Sequence, residues 1–139
     1  VGTISSVDTS AVNQLVEAGK VPVISPIATS VDGQIGFNVN ADIAAAALAG
    51  ALDARWLIIM TDVEGIYRNW PDKGSLISSI TASELESLKA SFAEGMAPKV
   101  QACLDAIKAG ATAVRIIDGT NPEAFAQALA HTGGTLVVA

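Results

Sequence analysis

Residues 38–42 are the first of three polar clusters whose residue types could bind a ligand. They read Asn-Val-Asn-Ala-Asp and stand directly before an alanine-rich stretch. Asn40 is a strong helix N-cap, which leaves Asp42 in the first helical turn beside unsatisfied backbone N–H groups. Such a motif also occurs as a simple cap on a buried helix, so on its own this cluster leaves both interpretations open.

The second cluster, residues 61–67, reads Thr-Asp-Val-Glu-Gly-Ile-Tyr. Gly65 allows the backbone to turn closely around a ligand, and Ile66 and Tyr67 could flank a flat ring. Asp and Gly are also frequent in ordinary turns after a strand, which is the alternative interpretation.

The third cluster, residues 94–99, precedes and begins a predicted helix. Gly95 clears space before the helix, Pro98 suits its first turn, and Lys99 places a cation where the helix dipole is unfavourable to it. A positive charge at this position favours a nearby anion. The alternative is a surface lysine whose long stem carries the ammonium group to water.

Composition limits the classes of protein to consider. A length of 139 residues suits one domain, and no apolar run approaches the roughly 20 residues of a membrane span. The first residues lack the basic start of a signal peptide, so we expect a cytoplasmic protein without membrane association. A net charge of −6 opposes non-specific binding to nucleic acid. Cys103, the only cysteine, excludes an internal disulfide and is predicted to lie in the core.

Strand-like and helix-like patterns alternate along the chain. Strands are predicted at residues 1–7, 21–27, 34–37, 56–60, 113–117 and 134–138, and helices at residues 9–19, 42–52, 98–108 and 121–130, with one more after a capping box at residues 81–84. Residues 68–74 are predicted to form a surface excursion. This alternation predicts an α/β fold, a three-layer αβα sandwich with a mainly parallel central sheet. The three clusters would then meet at the carboxyl edge of that sheet, where ligands bind in such folds.

Several common kinds of site are absent from the sequence. It contains neither a G-x-x-x-x-G-K-[ST] loop nor a G-x-G-x-x-G segment after a strand. His131 is the only histidine and has no G-x-S-x-G partner, so nucleophilic catalysis is unsupported. Asp42 and Asp62 could approach Mg²⁺ through water and phosphate oxygens, but two isolated acids do not define a protein metal site, and none is predicted.

In this order and spacing, the clusters resemble the amino acid kinase family. The resemblance rests on residues 37–42, 60–67, 95–100 and 115–119, the last followed by Asn-Pro, and it extends over the whole chain. Within the family, Asn-Val-Asn-Ala-Asp favours the branch that phosphorylates the γ-carboxylate of N-acetyl-L-glutamate in arginine biosynthesis. Glutamate 5-kinase and uridylate kinase tend to have Asp-Asn-Asp there.

The resemblance also implies a role for individual residues. Asn38 would hold the α-carboxylate of N-acetyl-L-glutamate, Asp42 would orient the catalytic lysines, and Lys99 would stabilise the transferred phosphoryl group. ATP is the implied co-substrate, with Mg²⁺ expected beside its phosphates. The implied ATP contacts are Asp62, Val63, Glu64, Gly65, Ile66, Tyr67, Ser91, Phe92, Ala93 and Gly95.

One departure from the family concerns what precedes these motifs. Members are longer and begin with a lobe that carries a Lys-x-Gly-Gly segment and an arginine for the amino-acid substrate, and neither is present here. The resemblance therefore implies that residues 1–139 form a single domain, the carboxyl-terminal ATP-binding lobe, which is inactive alone and belongs to a homo-oligomer in its full-length form. The alternatives are a non-catalytic nucleotide-binding or regulatory module, and another kinase of the same family.

Overall fold

The computed structural model describes residues 2–92 and 95–139. The helices are α1 (Ser10–Glu17), α2 (Ala41–Ala51), α3 (Ala82–Leu88), α4 (Ala97–Lys108) and α5 (Ala124–Leu129). The strands are β1 (Ile27–Thr29), β2 (Gly36–Asn38), β3 (Trp56–Thr61), β4 (Ser79–Thr81), β5 (Ala113–Asp118) and β6 (Thr135–Val138). None of the helices in these ranges combines the length and the apolar character needed to cross a membrane.

The central sheet has four strands in the order β3-β5-β6-β4. β3 is parallel to β5, with Trp56 opposite Ala113 and Thr61 opposite Asp118, and β4 is parallel to β6. β5 and β6 are antiparallel, and Gly134 with φ +64° stands directly before β6. A Cβ atom at that glycine would collide with the carbonyl oxygen of Ile116, so only glycine fits. The predicted α/β fold with a mainly parallel sheet is confirmed.

Helices cover both faces of this sheet, which gives the predicted three layers. Side chains alternate along β5, so that Val114 and Ile116 join the core beneath α2, α3 and α4. Ile117 points to the other face, where it packs with Ala124 and Ala128 of α5. Cys103 of α4 is fully buried in the larger core, as predicted.

The alanine-rich helix α2 packs closely against α4. Near the ends of the two helices, Gly50 lies so close to Ala109 that an added Cβ atom would collide with the Ala109 Cβ. At their beginnings, Asp42 of α2 contacts Lys99 of α4. The two helices therefore run parallel, and small residues in α2, including the buried Ala46 and Ala49, allow their close approach.

The helix starts follow the predicted capping chemistry. The Oδ1 atom of Asn40 accepts hydrogen bonds from the backbone N–H groups of Asp42, at 2.9 Å, and Ile43, at 3.1 Å. Thr81 and Glu84 form the predicted capping box at the start of α3. Gly110, with φ +108°, follows the end of α4. These helix boundaries are set by contacts within a few residues, which is why sequence patterns locate them.

Two strand predictions in the first quarter of the chain are wrong. Residues 2–7 form no strand, and Val1 lies outside the described residues. Of the predicted strand 21–27, only Ile27 belongs to a strand, as the first residue of β1. Pro22 and Pro26 have no N–H group to donate, and the Val21 and Val23 side chains are 88% and 95% exposed, so neither a ladder nor a core stabilises this stretch.

β1 and β2 instead form a separate antiparallel pair, in which Ile27 lies opposite Asn38. The 38–42 cluster therefore does not follow a strand of the central sheet. The start of α2 brings this cluster to the edge of the central sheet, because α2 packs beside α4.

Candidate active site

A cavity of about 640 Å³ opens at the carboxyl end of β3. Its walls are the segment after β3, the residues around the short 3-10 turn Lys89–Ser91, and the first turn of α4. The described residues that line it are Thr61, Asp62, Val63, Tyr67, Arg68, Asn69, Trp70, Ser91, Phe92, Gly95, Met96 and Lys99. This volume falls within the range of roughly 300–1,000 Å³ typical of small-molecule sites.

Lys99 and Asp42 form an ion pair beside this cavity. The Lys99 Nζ atom lies 3.1 Å from Oδ2 and 3.4 Å from Oδ1 of Asp42, and both side chains are about 20% exposed. Each residue stands in the first turn of its helix, and the parallel packing of α2 and α4 brings both turns to the same place. Two helix N-termini and one ammonium group therefore converge, which favours an anionic ligand at this end of the cavity.

Tyr67 forms part of the cavity wall and is held in a fixed orientation. Its hydroxyl donates a hydrogen bond to Oε2 of Glu64 at 3.0 Å, and the residue is almost fully buried. Burial is the main cause that raises the pKa of Tyr67 above its usual value, and the neighbouring Glu64 carboxylate adds to it. Tyr67 is therefore a neutral hydroxyl with a fixed ring at physiological pH.

Thr135 of β6 holds the backbone of the second cluster, residues 61–67, through buried hydrogen bonds. Its Oγ1 atom accepts a hydrogen bond from the Ile66 N–H at 2.8 Å and donates one to the Ile77 carbonyl at 2.6 Å. A Cβ atom at Gly65 would lie 2.5 Å from the same Oγ1, so glycine is required for this close approach. Gly65 and Ile66 thus shape the cavity from a buried position behind its surface.

The structure brings most of the predicted site residues to one place. The predicted residues that line the cavity are Asp62, Val63, Tyr67, Ser91, Phe92, Gly95 and Lys99. Asp42 and Glu64 contact members of that set, namely Lys99 and Tyr67. Asn38 ends β2 with an exposed side chain and is not part of the cavity lining. Ala93 lies outside the described residues, as does Glu94.

Three residues of the lining lie outside the three predicted clusters, namely Arg68, Asn69 and Trp70, while Thr61 and Met96 lie within the clusters but were not among the implied contacts. Residues 68–70 belong to the stretch that was expected to be a surface excursion. Residues 68–74 are exposed, as predicted, and a backbone bridge between Tyr67 and Leu76 folds residues 67–76 into a hairpin, which we call the 67–76 hairpin. Polar composition alone gave no signal that this stretch would return to the cavity. Thr135 was also missed, because its contacts join distant parts of the chain.

A cavity at the carboxyl edge of an α/β sheet, with a lysine beside two helix N-termini, is typical of the phosphate sites of kinases. Comparison with known proteins gives the family. Residues 1–118 match the model of the amino acid kinase family, and the chain belongs to this family.

Within the family, the chain is similar to acetylglutamate kinases. It is 48% identical to that of Corynebacterium urealyticum over 134 residues, which cover 96% of this chain and 44% of the relative. It is 51% identical to that of Streptomyces coelicolor over 119 residues, which cover 86% of this chain and 39% of the relative. The sequence similarity thus agrees with the branch of the family that residues 38–42 favoured. The chain spans less than half the length of the curated relatives it matches.

Solved structures of related proteins share the fold. N-acetylglutamate synthase from Neisseria gonorrhoeae, complexed with coenzyme A and L-arginine, superposes with a TM-score of 0.88 at 28% identity, covering 99% of this chain and 32% of that one. Carbamate kinase from Giardia lamblia, bound to AMP-PNP, superposes with a TM-score of 0.64 at 27% identity, covering 81% of this chain and 40% of that one.

Proposed function

We propose that this chain is the ATP-binding half of an acetylglutamate kinase. In this reaction, a γ-carboxylate oxygen of N-acetyl-L-glutamate attacks the γ-phosphorus of ATP, the bond to the β-phosphate breaks, and an acyl phosphate and ADP result. The observation that carries the proposal is the Lys99–Asp42 pair, which lies at two converging helix N-termini beside a nucleotide-sized cavity. The similarity to acetylglutamate kinases supports the choice of substrate, and the AMP-PNP bound to the related carbamate kinase supports a nucleotide in the cavity.

In this proposal, Lys99 neutralises charge on the phosphoryl group as it is transferred. Phosphoryl transfer depends on in-line positioning and on stabilisation of the equatorial oxygens, and it needs no covalent catalyst. Asp42 holds the ammonium group of Lys99 in place, and the N–H groups at the starts of α2 and α4 add further positive potential.

Mg²⁺ would accompany the phosphates of ATP and neutralise part of their charge. Asp62 supplies a carboxylate on the cavity wall, and one or two carboxylates together with phosphate oxygens and water are the ligands that Mg²⁺ prefers in such sites. Tyr67, Ser91 and Phe92 line the same cavity and would contact the nucleoside, with Val63 and Gly95 beside them.

The proposal assigns the rest of the acetylglutamate site to a preceding lobe. Asn38 is the one contact for the substrate α-carboxylate that we assign to this chain, and a second lysine near the phosphates would come from the lobe with the Lys-x-Gly-Gly segment. The chain alone would then bind ATP weakly and turn it over poorly. The complete enzyme would be a cytoplasmic homo-oligomer that acts in arginine biosynthesis.

A chimeric enzyme tests this proposal. The chain replaces the matching 134-residue segment of the Corynebacterium urealyticum acetylglutamate kinase, so that the relative supplies everything else. We expect the chimera to phosphorylate N-acetyl-L-glutamate, and Lys99→Ala to lower kcat about 10²- to 10³-fold because a charge-stabilising group is lost. Lys108→Ala is the matched control, since Lys108 stands exposed in the last turn of the same helix and should leave kcat unchanged.

Two results would contradict the proposal. A folded chimera that binds ATP but transfers no phosphate would indicate a non-catalytic nucleotide-binding module. A KM for N-acetyl-L-glutamate that is unchanged in the Asn38→Ala chimera would contradict the substrate contact assigned to this chain, since the relative supplies the rest of the amino-acid site.

A further inference from the structure

The 67–76 hairpin holds Trp70 at the cavity in a defined position. On one side of Trp70, the Arg68 N–H donates to the Ser75 carbonyl at 2.9 Å, and the Asn69 N–H donates to Ser75 Oγ at 3.0 Å. On the other side, the Asp72 N–H donates to the Asn69 carbonyl at 2.8 Å. Hydrogen bonds thus fix the backbone before and after Trp70.

The Trp70 ring packs edge-on against Tyr67 and leaves much of its surface open. The two ring centroids are 5.3 Å apart with an interplanar angle of 64°, and Tyr67 is itself anchored by Glu64. Trp70 is nevertheless 57% exposed, and it lines the cavity. A fixed aromatic ring with an open surface at a nucleotide-sized cavity is suited to stacking on a nucleobase.

We propose that Trp70 contacts the purine ring of ATP and so contributes to nucleotide affinity. This inference rests on the proposed function, because it requires ATP in the cavity. Charge directs the triphosphate to Lys99 and the two helix N-termini, so the base meets the remaining wall. The aromatic part of that wall consists of Tyr67, Trp70 and Phe92. Only Trp70 of the three lies on the hairpin tip with an open ring surface.

Intrinsic fluorescence reports on this contact directly, because the chain has two tryptophans. Trp56 begins β3 and lies about 17 Å along that strand from the Thr61 end, where its ring contacts His131 and the Arg115 guanidinium group. The variant Trp56→Phe leaves Trp70 as the only tryptophan. We expect ATP to change the emission of Trp56→Phe and to leave that of Trp70→Phe unchanged.

Calorimetric titration separates binding of the base from binding of the phosphates. We expect Trp70→Ala to weaken ATP binding about tenfold, the loss typical of one stacking contact. Binding of inorganic tripolyphosphate, which has no base, should be equal in Trp70→Ala and in the unmodified chain. Trp70→Phe, which restores an aromatic ring, should recover most of the ATP affinity, and Trp56→Phe is the control for loss of a tryptophan elsewhere.

The possible outcomes distinguish this inference from the proposed function. Equal ATP affinity in Trp70→Ala and in the unmodified chain overturns the role of Trp70 and leaves the proposed function intact. An equal loss of ATP and tripolyphosphate binding in Trp70→Ala shows that the ring only supports the hairpin, which also overturns the inference. If neither the unmodified chain nor the chimeric kinase that contains it binds ATP, the proposed function and the inference both fail.

Discussion

The Lys99 ammonium group lies 3.1 Å from the Asp42 carboxylate, although 57 positions separate the two residues in the sequence. The contact depends on the parallel packing of α2 and α4, which aligns the first turns of the two helices. A cation in the first turn of a helix is disfavoured by the helix dipole, and the Asp42 carboxylate offsets that cost.

Replacing Asp42 with Asn should therefore impair Lys99 more than it impairs the fold. In the chimeric kinase, we expect kcat/KM to fall at least tenfold, since Lys99 loses the group that orients it, and we expect the free energy of unfolding to fall by about 1 kcal/mol. Steady-state kinetics and urea unfolding measure the two effects. Glu86→Gln is the matched control, because it removes a carboxylate from the more exposed Lys89–Glu86 pair at 3.8 Å. Similar kinetic losses in both variants would contradict a specific role for Asp42.

The Thr135 hydroxyl should matter for stability and for the shape of the cavity. Thr135→Val preserves the side-chain shape but leaves the Ile66 N–H and the Ile77 carbonyl without this partner in a buried place. We expect a loss of about 2–3 kcal/mol in the free energy of unfolding, together with weaker ATP binding. Thr135→Ser keeps the hydroxyl and removes only a methyl group, so it should lose about 1 kcal/mol and retain ATP affinity. If Thr135→Val and Thr135→Ser lost the same amount of stability, loss of the two hydrogen bonds would not explain the effect.

Gly50 should resist a substitution that usually stabilises a helix. Gly→Ala within a helix normally gains about 1 kcal/mol, but here the new methyl group would collide with the Ala109 Cβ. We expect Gly50→Ala to destabilise the protein by about 1–3 kcal/mol, because α2 and α4 are pushed apart. The double variant Gly50→Ala with Ala109→Gly removes the collision and should recover most of that loss. Thermal unfolding of the single and double variants measures the coupling between positions 50 and 109. If the stability changes of the two single variants simply added up in the double variant, the collision would not be the cause.

The buried Cys103 thiol should make stability fall at alkaline pH. Burial is the main cause that raises the pKa of Cys103 from 9.0 to about 12, with the Asp42 carboxylate as a further cause. The folded state therefore favours the neutral thiol. This contribution is complete below pH 9 and is lost as the pH rises from 9 towards 12, because the unfolded chain releases its proton first.

Between pH 8 and pH 10, the expected loss from Cys103 is about 1.4 kcal/mol. Other groups also titrate in this range, so the measured quantity is the difference between the unmodified chain and Cys103→Ala in urea unfolding at each pH. The stability advantage of the unmodified chain should shrink as the pH rises. An advantage that stays constant would show that Cys103 is not protected from ionisation.

Much of the fold was predictable because its signals are local. Asn40, the Thr81–Glu84 capping box and Gly110 act on backbone groups within a few residues, so they locate helix ends from sequence alone. The apolar run of β3 likewise identified a parallel strand, although the strand lies at the sheet edge and only Ile59 in it is buried. The order of these elements was sufficient for the three-layer α/β architecture.

The strand predicted at residues 21–27 shows where local signals are insufficient. Its apolar pattern is typical of a strand, but a strand forms only when another strand edge accepts its hydrogen bonds. β3 is an edge strand of the central sheet, and residues 21–25 do not pair with it. A pattern of side chains specifies the tendency of a segment and does not specify its partner.

The sequence by itself determined the types of residue available to the site, the caps that begin its helices and the family resemblance. Only the tertiary structure decided that Asp42 meets Lys99, that Thr135 supports Gly65 and Ile66, and that Trp70 returns to the cavity. Each of these contacts joins separate elements or closes a hairpin. Their geometry follows from helix packing, sheet register and backbone hydrogen bonds, which depend on the whole set of packed elements rather than on any one segment.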